Sequence, residues 1–373
     1  MQYRQYGKNG PMVSRLGFGV MRLPRRKQGG KSVVNFSKAV EVMRRAMAAG
    51  VDFFDSHHNY HSGQSEEAIG RALKGWKGQR IYIQTKTPFY RPEPQKFFKR
   101  LIEEALEKTG VNYIDYLLFH SMRMDVFKKR GKEFFKVTDW AIKKGYVRHR
   151  GFSSHDTPEN VKKFIDTGEF SAMVLSYNWM NPTMADVLSY GARKGLGVAV
   201  MNPMGGGNLA FDTPQVLRLL KGAKTAAEVS LRYVLSTPGV TLAMSGMNTN
   251  EQVDENTAIV SRRAPMTPLQ RKNMLKQLKE IQRLGTLVCA ACGYCMPCPA
   301  GVDIPTNLKL LNQARLLGLQ EYSRSLFGGL RNRPEGDHSA LACKKCGKCL
   351  TKCPNNIPII DQLAETAELL TGP

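Results

Sequence analysis

From about residue 15 to residue 262, short apolar runs alternate with longer amphipathic segments. The runs "SRLGFGV", "VDFFDSH", "RIYIQTK", "YIDYLLFH", "VRHRGFSS", "SAMVLSYN", "LGVAVMNP" and "GVTLAMSG" predict eight strands by their length and their β-branched and aromatic content. The intervening segments "KAVEVMRRAMAAG", "SEEAIGRALKGW", "PQKFFKRLIEEALEKTG", "EFFKVTDWAIKKG", "TPENVKKFIDTG", "MADVLSYGARKG", "TAAEVSLRYVLST" and "NEQVDENTAIVSR" predict helices. Several stop at a glycine, and "TPEN" opens one with an N-cap threonine followed by proline at the first helical position. Strands alternating with helices imply parallel pairing through right-handed crossovers. Eight such units in about 250 residues fit an α/β fold of the (β/α)₈ TIM-barrel type better than an open doubly wound sheet.

At 373 residues the chain exceeds what one core of that kind needs. The expected division is a barrel over 1–262, a helical linker over 263–285 containing "PLQRKNMLKQLKEIQRLG", and a second domain over 286–373. All eight cysteines lie between positions 289 and 353. Such clustering argues for a metal or cluster module in a reducing compartment and against a disulfide scaffold. Residues 289–299 read "CAACGYCMPCP" and residues 343–354 read "CKKCGKCLTKCP". The second run resembles the bacterial ferredoxin pattern C-x₂-C-x₂-C-x₃-C-P for a [4Fe–4S] cluster, and the first is one residue shorter before its last cysteine. Four thiolates also suit zinc, but structural zinc sites usually pair separated knuckles. Two [4Fe–4S] clusters are therefore expected on Cys289, Cys292, Cys295, Cys298, Cys343, Cys346, Cys349 and Cys353. In two-cluster ferredoxins the fourth cysteine of each run ligates the other cluster. By that resemblance Cys289, Cys292 and Cys295 pair with Cys353, and Cys343, Cys346 and Cys349 with Cys298. The helical pattern of "IPTNLKLLNQARLLGLQEYSRSLFGGL" between the runs makes the module resemble an α-helical ferredoxin.

The formal charge of +24 is spread over predicted helix faces with no run of five basic residues. That pattern suits a solvated basic surface attractive to an acidic electron-transfer protein or an anionic substrate. Nucleic acid is not expected as a partner, since neither a binding motif nor aromatics interleaved with a basic stripe are found. The opening "MQYRQYGKNGPMVSRLGFGV" lacks an apolar h-region, and no apolar run approaches membrane-span length, so a soluble cytoplasmic protein is expected.

Barrel enzymes place their chemistry at the C-terminal ends of the strands. Those ends carry Asp55 with Tyr60 just beyond, Lys86, His120, Ser153 with Ser154 and His155, Tyr177 with Asn178, and Asn202. A tyrosine hydroxyl is a poor acid at neutral pH unless a neighbouring cation makes its ionised form accessible. Lys86 would supply that cation, Asp55 would hold it, and His120 would orient a carbonyl oxygen against the Tyr60 hydroxyl. The stretch "VDFFDSHHNYHSGQSE" also carries His57, His58 and His61. Adjacent side chains on an extended segment point apart, so these histidines read better as tuning a polar substrate pocket than as metal ligands. Met21 and Arg22, just past the first strand, stand within reach of substrate or on the surface.

Taken in order, "YRQYGKNGPMVSRLGFGVMRLP", "GVDFFDSHHNY", "SEEAIGRAL", "IQTK", "DYLLFH", "GYVRHRGFSSH", "SYN" and "GMNTNEQVDEN" resemble the aldo-keto reductase superfamily. The resemblance implies that Asp55, Tyr60, Lys86 and His120 form that family's catalytic tetrad, with Tyr60 as general acid or base. It implies NAD(H) or NADP(H) as hydride carrier, a small carbonyl, alcohol or sugar-like substrate, and an opening β-hairpin that closes the barrel bottom. By similarity the cofactor meets Ser153, Ser154 and Asn178, the "NPMGGG" loop with Gly205 and Gly206, and Gly246, Asn248, Gln252, Glu255 and Asn256. The chain departs from the family at Ser154, Val174 and Met201, and Gly246 and Gln252 stand where NADP-preferring members carry Lys and Arg. The expected activity is carbonyl–alcohol interconversion, with clusters relaying electrons to or from a protein partner. Two alternatives stay open: a redox sensor or electron carrier whose barrel only binds nucleotide or partner, and a cluster-driven reductase that does not use nicotinamide.

Overall fold

The computed structural model describes residues 1–207, 209–262, 265–284, 289, 293, 295–353 and 357–372, the side chains at 280–284 and 317 excepted. The chain divides into two compact units, Met1–Ala210 with Ser230–Thr267, and Phe211–Val229 with Pro268–Pro373.

The first unit opens with an antiparallel hairpin of β1 (Tyr3–Gln5) and β2 (Met12–Ser14). There follow β3 (Leu16–Gly19), the pair β4 (Arg25–Gln28) and β5 (Lys31–Val34), and α1 (Phe36–Ala48). β4 is polar and exposed throughout, β5 buries only Val34 at its end, and the turn between them is made by Gly29 and Gly30 at φ +56° and +72°, the geometry that two-residue hairpin loops require. Next come β6 (Phe53–Asp55), α2 (Gln64–Leu73), β7 (Tyr82–Thr87), α3 (Gln95–Thr109), β8 (Ile114–Met122) and α4 (Met124–Lys143). Then follow β9 (Val147–Ser154), α5 (Pro158–Asp166), β10 (Ala172–Ser176), α6 (Ala185–Arg193), β11 (Gly197–Met201), α7 (Pro214–Arg218), which falls in the second unit, α8 (Ala226–Leu235), which belongs to this unit from Ser230 on, β12 (Leu242–Ser245) and α9 (Asn250–Arg262). α4 starts well before the predicted "EFFKVTDWAIKKG", with Asp125 in its first turn where the helix dipole favours an acid.

All eight predicted strands form. β3, β6, β7, β8, β9, β10, β11 and β12 pair in parallel, in that order, and close into a barrel. Its interior is filled by Tyr6, Phe53, Tyr116, Leu118, Val174, Leu242 and Met244, among others. Tyr6 follows β1 and packs edge-on against Phe53 and Tyr116 at centroid distances of 5.0 and 4.9 Å. Arg15 is buried and donates to the carbonyls of Leu235, Val240 and Thr241, which ties the entry of β3 to the approach to β12.

The second unit contains α10 (Pro268–Leu284), α11 (Ile304–Leu317), α12 (Gln320–Arg331) and α13 (Ile359–Thr371). The helical stretch expected over 304–330 is broken by Gly318 at φ +67°, where the amides of Gly318 and Leu319 both turn back to the Gln313 carbonyl. Asp303 caps α11 by accepting from the Thr306 amide. Val302, Ile304, Leu308, Phe327, Leu330, Ile359 and Leu363 form the core together with Cys295, and Cys289, Cys298, Cys343, Cys349 and Cys353 pack against it. Among the described residues no helix is long and apolar enough to cross a membrane.

Candidate active site

Parallel pairing sets Asp55 beside Gln84 and Lys86 beside Leu118, so the ends of β6, β7 and β8 meet at one rim. Strand side chains alternate, hence Gln84 and Lys86 share a face. Lys86 Nζ donates to both Asp55 oxygens at 2.6 Å and to the Ser56 carbonyl at 2.7 Å. Lys86 is 2% exposed and Asp55 6%. Burial works against the Lys86 charge, but Asp55 and Tyr60 outweigh it and its pKa ends above the ordinary lysine value. The Lys86 ammonium lies 5.3 Å from the centroid of the Tyr60 ring. Burial raises the Tyr60 pKa, with the Lys86 charge opposing that rise. Tyr60 opens a 3₁₀ turn over Tyr60–Gly63 in which His61 and Ser62 both hold positive φ, of 53° and 57°. Non-glycine residues in that region carry strain, often beside functional groups.

His120 follows on β8. Burial first, then the charge of Lys86, pulls its pKa down to about 3, so its imidazole is neutral at physiological pH. Its Nδ1 is buried and has no hydrogen-bond partner among the described residues. The His57 ring sits 4.0 Å from it, centroid to centroid. His57 Nδ1 accepts from the Asn59 amide at 3.2 Å, which leaves Nε2 to carry the proton of a neutral ring. That Nε2 lies 3.0 Å from His58 Nδ1, so His58 accepts there and holds its own proton on Nε2. Burial lowers the pKa of His57 far below the usual value and that of His58 to about 4. His57 is 3% exposed, and its ring packs against that of His120. His61 is half-buried, and among the described residues no three His, Cys, Asp or Glu side chains are placed to hold a single metal ion. Asp52 and Glu66 are structural. Asp52 accepts from the Ser14 amide, and Glu66 accepts from the Thr85 hydroxyl at 2.7 Å.

Sequence reasoning passed over Gln84, although the period-two rule places it on the Lys86 face. Its amide donates to Asp55 Oδ1 at 2.7 Å, and its carbonyl accepts from the Tyr6 hydroxyl at 3.3 Å. A buried chain thus runs from the hairpin at one end of the barrel, through Tyr6 and Gln84, to Asp55 and Lys86.

The residues expected at a dinucleotide lie on the same unit. Ser153 Oγ accepts from the Ser121 amide, and Ser154 Oγ donates to the Met122 carbonyl while accepting from the Asp156 amide. Asn178 braces its loop, accepting from the Met180 and Asn181 amides and donating to the Asn202 carbonyl. Gln252 accepts from the Asn248 amide, Asn256 donates to Ser245 Oγ, and Glu255 is half-buried on the same helix. Gly205 and Gly206 lie in a 3₁₀ turn after β11, and Gly246 follows β12. A Cβ on Gly206 would stand 3.0 Å from Arg22 Nη2, and one on Gly246 would stand 3.1 Å from Arg22 Cβ. The two glycines therefore flank the Arg22 side chain and leave it room, a placement that neither motif reveals alone.

In the second unit Cys298, Cys343, Cys346 and Cys349 line one cavity, together with Cys295, Pro297, Ile304 and Leu363. Burial first, then the crowding of Cys343, Cys298 and Cys346, pushes the Cys349 thiol up. Five cysteines border this largely apolar cavity, and four of their thiols fit a cluster of four irons and four sulfurs, with Cys295 and Cys298 of the first run both beside the second. Cys295 is buried, and Cys289 and Cys353 are half-buried in the surrounding core. Cys292 lies outside the described residues.

Comparison with known proteins accords with both units. The aldo/keto reductase family model matches residues 15–274, and a 4Fe-4S dicluster domain matches residues 288–358. L-Galactose dehydrogenase of Arabidopsis thaliana is 25% identical over 70% of this chain and 88% of its own. NADH-specific methylglyoxal reductase of Escherichia coli is 21% identical over 60% of this chain and 82% of its own. The structure of an aldo-keto reductase from Bacillus halodurans in its holo form superposes with a TM-score of 0.63 at 22% identity, covering 74% of this chain and 96% of that one. A family match of this extent, on a closed barrel of eight parallel strands, assigns the protein to the oxidoreductases: it belongs to the aldo/keto reductase family, with a 4Fe-4S dicluster domain following in sequence.

Proposed function

We propose that the protein interconverts a small carbonyl and its alcohol, with Tyr60 delivering or removing the proton at the substrate oxygen. The observation that carries this reading is the buried Asp55–Lys86 pair beside the Tyr60 ring, with an Nδ1 on His120 that has no hydrogen-bond partner among the described residues. A nicotinamide dinucleotide supplies the hydride when bound. The residues present fit it: Gly206 and Gly246 give the Arg22 side chain room, and its guanidinium offers a cation where Gly246 and Gln252 lack one. Tyr60, protonated at neutral pH, acts as acid in the reducing direction. Lys86 keeps the tyrosinate accessible, and Asp55 keeps Lys86 charged. Neutral His120 orients the substrate oxygen. Two [4Fe–4S] clusters are held by the eight cysteines in the crossed pairing and pass electrons to or from a protein partner; Cys295 and Cys298 of the first run both border the cavity of Cys343, Cys346 and Cys349, which supports one module shared by the two runs.

A second reading has support in Ser154 and Asn178, whose side chains are already spent on the protein's own backbone. In it the barrel reduces its substrate from the clusters and uses no nicotinamide. Titration of anaerobically purified protein with NADH and NADPH, followed by fluorescence and cluster absorbance, separates the two. The first reading expects saturable binding and turnover on a carbonyl panel, with Tyr60→Phe lowering kcat by about 10²–10⁴-fold. Wild-type turnover in Tyr60→Phe would remove the tyrosine role, and absence of nucleotide binding would favour the second reading.

A further inference from the structure

We infer that the surface around the cavity of Cys298, Cys343, Cys346 and Cys349 docks an acidic protein that carries one electron at a time. Residues 338–353 contain Lys344, Lys345, Lys348 and Lys352 and no Asp or Glu. All four lysines are exposed, and none has an ion-pair partner among the described residues. Lys344, Lys348 and Lys352 line the same cavity as the thiols. Cys346 is itself exposed, so the cavity reaches the surface. Leu341 and Leu350, 44% and 40% exposed, belong to the same stretch. Single exposed leucines are ordinary, but two within a collar of uncompensated cations supply the apolar contact and charged rim of a small transient interface. Complementary charge steers such encounters and sets their rate.

The competing role for these lysines is to balance the negative charge of the thiolates. Lys345 does not line the cavity, yet it adds to the collar, which a counter-charge role does not call for. The inference rests on the reading that the clusters exchange electrons with a protein. In each encounter one electron leaves the reduced carrier and enters this protein, and no atom is transferred.

The test uses the full-length, cluster-loaded protein with two acidic probes, a plant-type [2Fe–2S] ferredoxin and a flavodoxin. Binding is measured by calorimetry at low and raised salt. Cluster reduction is followed against a zwitterionic viologen of no net charge. In Lys345→Glu and in the pair Lys344→Gln with Lys348→Gln, ferredoxin or flavodoxin affinity should fall about tenfold. Raised salt should weaken wild-type binding to a similar extent, while the viologen rate and the cluster electron-spin spectrum stay unchanged. Unaltered affinity in the variants overturns the inference, as does a failure of both acidic probes to bind wild type. A parallel change in the viologen rate and the cluster potential also overturns it, and assigns the lysines to tuning the cluster. If the viologen cannot reduce the wild-type clusters, the electron-relay reading falls and takes this surface with it. Reduction by viologen without binding of either probe sinks the docking surface alone.

Discussion

At the scale of single residues, the site depends on what Asp55 receives. Lys86 and Gln84 both donate to it, and Gln84 is in turn held by Tyr6. Gln84→Leu removes one donor from a buried carboxylate and strands the buried Tyr6 hydroxyl. It should cost about 1–3 kcal/mol in denaturant unfolding. It should also lower kcat by about tenfold with KM little changed, since a loosened Lys86 acts on proton transfer and not on substrate binding. An unchanged kcat would reduce Gln84 to a packing residue. The histidines set a pH dependence of stability. His58 and His120 titrate in the folded protein at about 4 and about 3, below the about 6.5 of an unfolded chain. Between those limits the unfolded state binds more protons, so their contribution is complete above about pH 6.5 and is lost as pH falls through 4 and 3. Melting temperature should decline from pH 7 to pH 5, and His120→Asn should flatten that slope. A flat profile in wild type would contradict the burial of neutral rings.

Strands and helices do the positioning. β6, β7 and β8 pair in parallel and carry Asp55, Lys86 and His120 to one rim, which no single element achieves. Where β8 meets β9 the register shifts between Phe119 and Met122, Ser121 turns to φ 50°, and the hydroxyls of Ser153 and Ser154 pick up the freed backbone groups. The same serines were expected at the cofactor, and their work at this irregularity is invisible in a linear motif. Barrel closure leans on Arg15, whose pKa burial pulls down to about 10 while its guanidinium serves three carbonyls. Arg15→Met keeps the apolar stem but leaves those carbonyls short of donors. A loss of about 2–4 kcal/mol in urea unfolding is expected, with the m-value unchanged. A loss within a few tenths of a kcal/mol would show that closure does not need the guanidinium.

For the whole molecule, the proposed function pairs two-electron chemistry in the barrel with one-electron chemistry at the clusters. The crossed pairing makes a specific prediction: Cys298→Ser and Cys353→Ser should damage different clusters. Each variant should retain roughly half of the eight irons expected for two [4Fe–4S] clusters, with distinct residual electron-spin signals. Identical residual signals would refute the crossing. Much of this architecture was legible in the sequence, because periodicity reports which positions are buried and tight cysteine spacing reports a shared ligand group. Eight strand–helix units, the strand ends with Asp55, Lys86 and His120, and the two cysteine runs needed nothing else. The mostly polar β4–β5 hairpin was missed because, apart from Val33 and Val34 at its end, its residues are exposed and leave no period. Gln84 beside Asp55, Tyr6 behind Gln84, His57 buried against His120, and Arg22 between Gly206 and Gly246 each join residues far apart in sequence. So does Cys298 at the cavity of the second run. A one-dimensional pattern states only whether a side chain faces inward. Which inward-facing partner it meets is set by barrel register and helix packing, and that was decided by the tertiary structure alone.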